Sequence, residues 1–188
     1  MVVGFDATDD AIAAIKEGRM AATIAQQPEL IGYRAVENAV KLINKETIPA
    51  SIPVEVTLVT AENVDSFASA GEPVEIVGNG SIGLSVSTLN NPFFVDLAEG
   101  AEETAAKLGV KISVVDAGDD VTKQVSDVED LIAKGISVLI INPCDSDAVT
   151  GAVEMAMAQG VRVIAVDRAV NGVTIDCQIA SDNVLGAE

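Results

Sequence analysis

The sequence predicts an α/β fold built on a doubly wound parallel sheet, and three observations carry that expectation. From Ile82 onward, short runs rich in Val and Ile alternate with stretches whose apolar residues recur every three or four positions. The runs are almost continuously apolar, as strands covered by helices on both faces require. Turn residues, chiefly Gly, Pro, Asn and Asp, stand at the joints. Because βαβ crossovers are nearly always right-handed, this alternation folds into an open, Rossmann-like sheet.

In chain order, a strand is expected at Val2 to Phe5, then a short helix capped by Thr8 with Ile12 and Ile15 inward, then a strand at Ala21 to Ala25. A longer helix runs from Pro28 to about Lys45, with Ile31, Ala35, Val36, Ala39, Leu42 and Ile43 as a broad apolar stripe. A strand at Val54 to Val59 follows. Between about Ala61 and Gly80 the chain is polar, rich in Ala, Gly and Glu, and without helical period, which reads as a linker.

Beyond the linker, strands are expected at Ile82 to Val86, Val110 to Val115, Ile136 to Ile141, Val161 to Val166 and Thr174 to Ile179. Three helices fill the gaps. The first begins near Pro92, places Phe94, Leu97, Ala101, Ala105 and Leu108 on one face, and stops at Gly109. The second turns Val121, Val125, Val128, Leu131 and Ile132 inward and stops at Gly135. The third is capped by Ser146, passes through Val149 and Val153, and stops at Gly160.

Composition narrows the function. With 188 residues, 49% of them apolar, the chain can bury one good core and a second small one. Its 29 acidic against 11 basic residues and a net charge of −18 repel phosphate backbones and anionic headgroups, so nucleic acid is not an expected partner. Cys144 and Cys177 lie in apolar runs without C-x-x-C spacing, and the chain has no His, so no zinc site is expected and both read as small buried hydrophobes. No stretch is long and apolar enough to span a bilayer, and the beginning lacks the basic region and cleavage site of a signal peptide.

Several motifs have plain structural readings. Gly78-Asn79-Gly80-Ser81-Ile82-Gly83 fits G-x-G-x-x-G but runs into a strand, whereas a dinucleotide site needs it to follow a strand and open a helix. Asp119-Asp120 and Asp145 with Asp147 stand where helices begin, where carboxylates satisfy free backbone N–H groups. A hydrolase needs a nucleophile with a base, yet there is no His and no G-x-S-x-G elbow, so an enzyme is not expected and no cofactor is implied.

In open α/β sheets ligands bind beyond the carboxyl ends of the strands. Those ends carry Asn91, Phe93 and Phe94 after the Ile82 strand, Asn142-Pro143-Cys144-Asp145 after the Ile136 strand, and Asp167-Arg168 after the Val161 strand. Phe5-Asp6 follows the Val2 strand and Gln26 the Ala21 strand. Three of the chain's four Phe lie at these ends. Aromatic faces cover the C–H faces of a sugar ring, while Asp accepts and Arg, Asn and Gln donate hydrogen bonds to its hydroxyls. A core Phe94 and a local Asp167–Arg168 ion pair would explain the same residues without a ligand.

The segments Ser87 to Phe94 (STLNNPFF), Ile141 to Val149 (INPCDSDAV), Asp167-Arg168, Ile179 to Gly186 (IASDNVLG), Gly4-Phe5-Asp6 and Ala22 to Gln26 (ATIAQ) resemble the ribose-binding proteins of bacterial ABC transporters, a periplasmic binding protein family. The resemblance covers nearly the whole chain apart from the linker. It implies a type I periplasmic-binding-protein fold, two Rossmann-like lobes closing on one sugar. Asn91, Asp167 and Arg168 would bond the sugar and Phe93 and Phe94 stack on it, with Phe5, Asp6 and Gln26 as contacts from the opposite lobe and hinge.

The order departs from the family. Residues 1 to about 64 resemble its C-terminal end and those from about 74 its beginning, so the chain looks circularly permuted, and the family's middle section is missing. Residues 28–49 and 81–181 then form one complete lobe, 1–27 and 50–60 a remnant of the second, and 61–80 the join. Open strands in the remnant need a cover: a complementary fragment, a second copy of the chain, or repacking onto the complete lobe.

Two functional readings follow from the resemblance. In one the chain binds D-ribose or a similar monosaccharide, as a receptor that presents its load to a membrane permease in the periplasm or an equivalent extracytoplasmic space. In the other it is an engineered or truncated permuted fragment with weak or no binding. A third, a phosphate-binding enzyme, would need a Gly-rich turn where Asn90-Asn91-Pro92 stands.

Overall fold

The computed structural model describes residues 2–64 and 80–182. In chain order its elements are β1 (Val3–Phe5), α1 (Asp9–Lys16), β2 (Ala22–Ala25), α2 (Pro28–Ile43), β3 (Ser51–Val54), β4 (Thr57–Thr60), β5 (Ser81–Val86), α3 (Pro92–Leu108), β6 (Lys111–Asp116), α4 (Val121–Ala133), β7 (Val138–Ile141), α5 (Thr150–Ala158), β8 (Arg162–Val166) and β9 (Cys177–Ser181). They build an α/β architecture with a parallel six-stranded sheet of order β3-β9-β8-β7-β5-β6 and a smaller sheet of order β1-β2-β4.

The large sheet is covered on both faces, which is why its strands read as continuous apolar runs. Side chains alternate across a strand. In β7, Val138 and Ile140 join the core formed with α2 and α3, while Leu139 and Ile141 join the core formed with α4 and α5. β8 repeats the division, with Ile164 and Val166 on one side and Val163 and Ala165 on the other.

Helices α2 and α3 lie against each other at unusually close range, and two glycines allow it. A Cβ on Gly32 would sit 2.1 Å from the carbonyl oxygen of Leu97, and one on Gly100 would sit 2.5 Å from that of Glu29. Each helix thus presents a bare backbone where the other crosses it.

The strand expected over Val54 to Val59 is two strands in two sheets. Val54 is buried in the large core and Val59 in a small one, so each half places its valine in a different interior. Pro53 is tolerated because β3 is an edge strand, paired on one side with β9. The Gln27 side chain donates to Glu55 O at 2.8 Å across the break. The segment 50–60 therefore divides, 51–54 lying in the large sheet and 57–60 in the small one.

β1 and β2 are parallel, and β4 runs antiparallel to β2. One face packs on α1 through Ile15, Ala25, Val59 and Val64. The opposite face carries Val3, Phe5 and Leu58, which are 52%, 48% and 56% exposed, with Phe5, Ile24 and Leu58 in one cross-strand row. The linker expectation over 61–80 falls, for 65–79, outside the described residues; residues 61–64 form a turn that brings Val64 into the small core, with Asn63 Oδ1 accepting from Thr60 N at 2.7 Å.

Three local expectations need correction. Ser146 does not cap α5: the Asp145 carboxylate accepts from the N–H groups of Asp147 and Ala148 and holds a separate turn before the helix. β9 begins at Cys177, not Thr174, because Asp176 is used as a side-chain acceptor, taking Val163 N at 2.8 Å and pairing with Arg162. Cys177 is buried, but Cys144 is only half-buried, at the strand ends.

Candidate functional site

The site forms where the strand order reverses. β5 has β6 on one side and β7 on the other, so chain leaving β5 and β7 departs to opposite sides of the sheet and opens a crevice. Asn91 stands at the end of the β5 loop and caps α3, its Oδ1 accepting from Phe93 N at 3.0 Å. The loop is held from the next strand: Asp116 Oδ1 accepts from Leu89 N at 3.2 Å and from Gly118 N at 2.8 Å.

Phe93 and Phe94 occupy the first turn of α3, edge to face, with ring centroids 5.2 Å apart and an interplanar angle of 88°. Phe93 is half-buried and rests on the edge of the large core, whereas Phe94 is only 5% exposed. At the end of β8, Asp167 has a left-handed backbone, φ 61°, which turns its side chain out of the strand direction. Its Oδ2 accepts from Asn142 Nδ2 at 3.2 Å. Burial pushes the Asp167 carboxyl above the usual carboxylate range, as does the charge of Asp6, against the opposing pull of Arg168 and the Asn142 bond.

Arg168 reaches back over the β7 loop, its Nη1 donating to Pro143 O at 3.3 Å and Cys144 O at 3.1 Å. From the smaller sheet, Asp6 also sits on a left-handed turn, φ 69°, and partial desolvation raises its carboxyl too. Gln26 follows β2, and its Oε1 accepts from the Ser181 hydroxyl at 3.2 Å. Asn91, Phe93, Phe94, Asp167 and Arg168 thus stand at the carboxyl ends of the large sheet, with Asp6 within electrostatic reach of Asp167 and Gln26 bonded to the end of β9. Phe5 is placed on the open face of the small sheet, in register with Ile24.

The arrangement offers acceptors in Asp167 and Asp6, donors in Arg168 and Asn91, and an aromatic pair, which suits a neutral polyhydroxylated ring. Burial and neighbouring carboxylates push the nearby Cys144 thiol up, against the opposing pull of Arg168. A depression of about 470 Å³ lined by Ser81, Lys111, Lys134 and Ser137 lies at the opposite end of the strands.

Residues 1–47 and 82–188 match the family model described as a periplasmic binding protein domain. The chain belongs to this family. Within the periplasmic binding proteins, it is 55% identical over 108 residues to the ribose import binding protein of Bacillus subtilis (strain 168), covering 57% of this chain and 35% of that protein. It is 43% identical over 132 residues to the ribose import binding protein of Escherichia coli (strain K12), covering 70% of this chain and 43% of that one. Among solved structures, the Caulobacter myo-inositol binding protein bound to myo-inositol is similar at a TM-score of 0.54 and 38% identity, over 60% of this chain and 38% of that one. The chain therefore spans between about a third and less than half the length of these relatives.

Sequence reasoning placed Asn142 at a strand end but missed its role beneath the candidate site, and missed Gln124 altogether. Asn142 is fully buried, its Oδ1 accepting from Ser87 N at 3.2 Å while its Nδ2 serves Asp167. Gln124 on α4 is also fully buried and bonds Asn142 O. A signal for it existed: Gln124, Val128 and Leu131 are spaced by four and three, so a polar residue occupies the apolar stripe. Of the expected stripe, Val128 and Leu131 are fully buried, whereas Val121, Val125 and Ile132 are only partly so.

Proposed function

We propose that this chain binds a small sugar, D-ribose or a similar monosaccharide, at the carboxyl ends of β5, β7 and β8. The observation that carries the reading is the Asp167–Arg168 pair, held side by side by Asn142 and the 143–144 carbonyls, with Asp6 within electrostatic reach of Asp167. Asp167, Arg168 and Asn91 would bond the hydroxyls, Phe93 and Phe94 would present aromatic surface, and Asp6, Gln26 and Phe5 would contribute from the smaller sheet. The role would be that of a receptor for an ABC transporter in the periplasm, handing sugar to a membrane permease and catalysing nothing.

Residues 28–49 and 81–181, with β3 added, would form the sugar-binding lobe, and 2–27 with β4 the remnant of a second. A permuted order would account for two matched stretches separated by residues 48–81. In the fragment reading the second wall would be thin, since among the described residues Val3, Phe5 and Leu58 stand exposed on one face of the small sheet.

Calorimetric titration of D-ribose, with the mass in solution determined on the same sample, tests both. Saturable heat that vanishes in an Asp167→Asn, Arg168→Ala variant supports the sugar site. A folded sample that takes up no ribose makes the chain a scaffold without its ligand.

A further inference from the structure

We propose that Gln124 is a positioning residue for the sugar site: it holds the turn after β7, and that turn holds both Asp167 and Arg168. The proposal rests on the sugar reading above for its binding consequence, but its geometry stands independently.

Gln124 lies on the buried face of α4 between apolar neighbours, where an aliphatic side chain would satisfy packing alone. Its amide is spent on partners outside its own helix. Nε2 donates to Asn142 O at 2.9 Å and to Ser85 Oγ at 3.2 Å, and Oε1 accepts from Cys144 N at 2.8 Å. One side chain thus grips the 142–144 backbone from both directions, and a buried amide with every partner in place is rigid.

From that turn the constraint passes along two routes. Asn142, with its backbone fixed, donates Nδ2 to Val166 O at 3.3 Å and to Asp167 Oδ2 at 3.2 Å. The carbonyls of Pro143 and Cys144 receive Arg168 Nη1. Gln124 therefore governs the orientation of an acceptor and a donor that it does not touch.

The test compares Gln124→Met, which keeps length and apolar volume, with Gln124→Glu, which keeps the acceptor for Cys144 N and loses both donors. On the sugar reading, Gln124→Met weakens D-ribose binding roughly tenfold or more. Because one of the two routes runs through Arg168, the same substitution should cost less in an Arg168→Lys background than in the parent, since groups acting as one unit are non-additive. Two readouts need no sugar. Loosening the turn should speed modification of the Cys144 thiol but not of buried Cys177, and weakening the Asn142 bond should move the Asp167 carboxyl titration, followed by NMR, further upward.

Unchanged ribose affinity, an equal loss in both backgrounds, or unchanged Cys144 labelling together with an unchanged Asp167 titration would each overturn the proposal. If Gln124→Met fails to fold, Gln124→Glu decides by the same readouts. If the parent chain takes up no ribose, the sugar reading fails, and Cys144 labelling with the Asp167 titration still decides whether Gln124 holds the turn.

Discussion

Asp6, on the turn after β1, stands close enough to Asp167, on the turn after β8, for its charge to push the Asp167 carboxyl upward, adding to the larger effect of burial. Like charge and burial both raise the cost of ionising Asp167, burial the more.

The sign of the pH dependence follows. With a folded pKa above the unfolded value, Asp167 keeps its proton longer in the folded state, so its contribution to stability is full at low pH and is lost as pH rises through the folded value. Asp167→Asn removes that loss, and asparagine accepts the left-handed backbone. The expected outcome is a higher unfolding midpoint without sugar at neutral pH, a flatter pH dependence in the acid range, and ribose binding weaker by tenfold or more. Denaturant unfolding at neutral and acid pH, paired with calorimetry, checks it; a variant less stable than the parent at neutral pH would contradict the electrostatic account.

Arg168→Lys keeps the charge but not the planar fork that rests one nitrogen on the 143–144 carbonyls and leaves the others free to donate elsewhere. Ribose affinity should fall roughly tenfold. Because Arg168 is exposed, stability should stay within about 0.5 kcal/mol. Equal affinity for ribose would remove Arg168 from the site.

Gly32→Ala and Gly100→Ala should each destabilise by about 1–3 kcal/mol through overpacking where α2 crosses α3. That outcome opposes helix propensity, which favours Ala over Gly by about 1 kcal/mol. Gly151 on α5 has open space around a would-be Cβ, so Gly151→Ala should stabilise by up to about 1 kcal/mol. Thermal unfolding of the three variants separates crossing from propensity.

Adjacent residues of β4 should respond oppositely. Leu58 is 56% exposed on the open face, and Leu58→Thr should change stability by no more than about 0.5 kcal/mol. Val59 is fully buried in the small core, and Val59→Thr, which buries a hydroxyl in the same volume, should cost about 1–3 kcal/mol. A similar loss at both positions would mean that something covers Leu58 in solution.

Most of this was legible in residue pattern. The apolar runs and three- or four-residue periods are local consequences of which faces must be buried, so the strands from β5 to β8, the helices between them, and the glycines that end α3 and α4 follow from the sequence. The placement of Asn91, Phe93, Asp167 and Arg168 at strand ends was legible for the same reason, because an open parallel sheet exposes its carboxyl ends.

Only tertiary structure decided how Val54 and Val59 divide between two cores, since a single alternating run satisfies one sheet or two equally well until its neighbours are known. It also decided that Gln124, a polar residue in an apolar stripe, is satisfied by a turn eighteen residues away, and that Asp6 lies near Asp167 at opposite ends of the chain. Pattern records which side of an element is buried. It does not record the partner found there, because that partner is brought by chain closure and not by spacing.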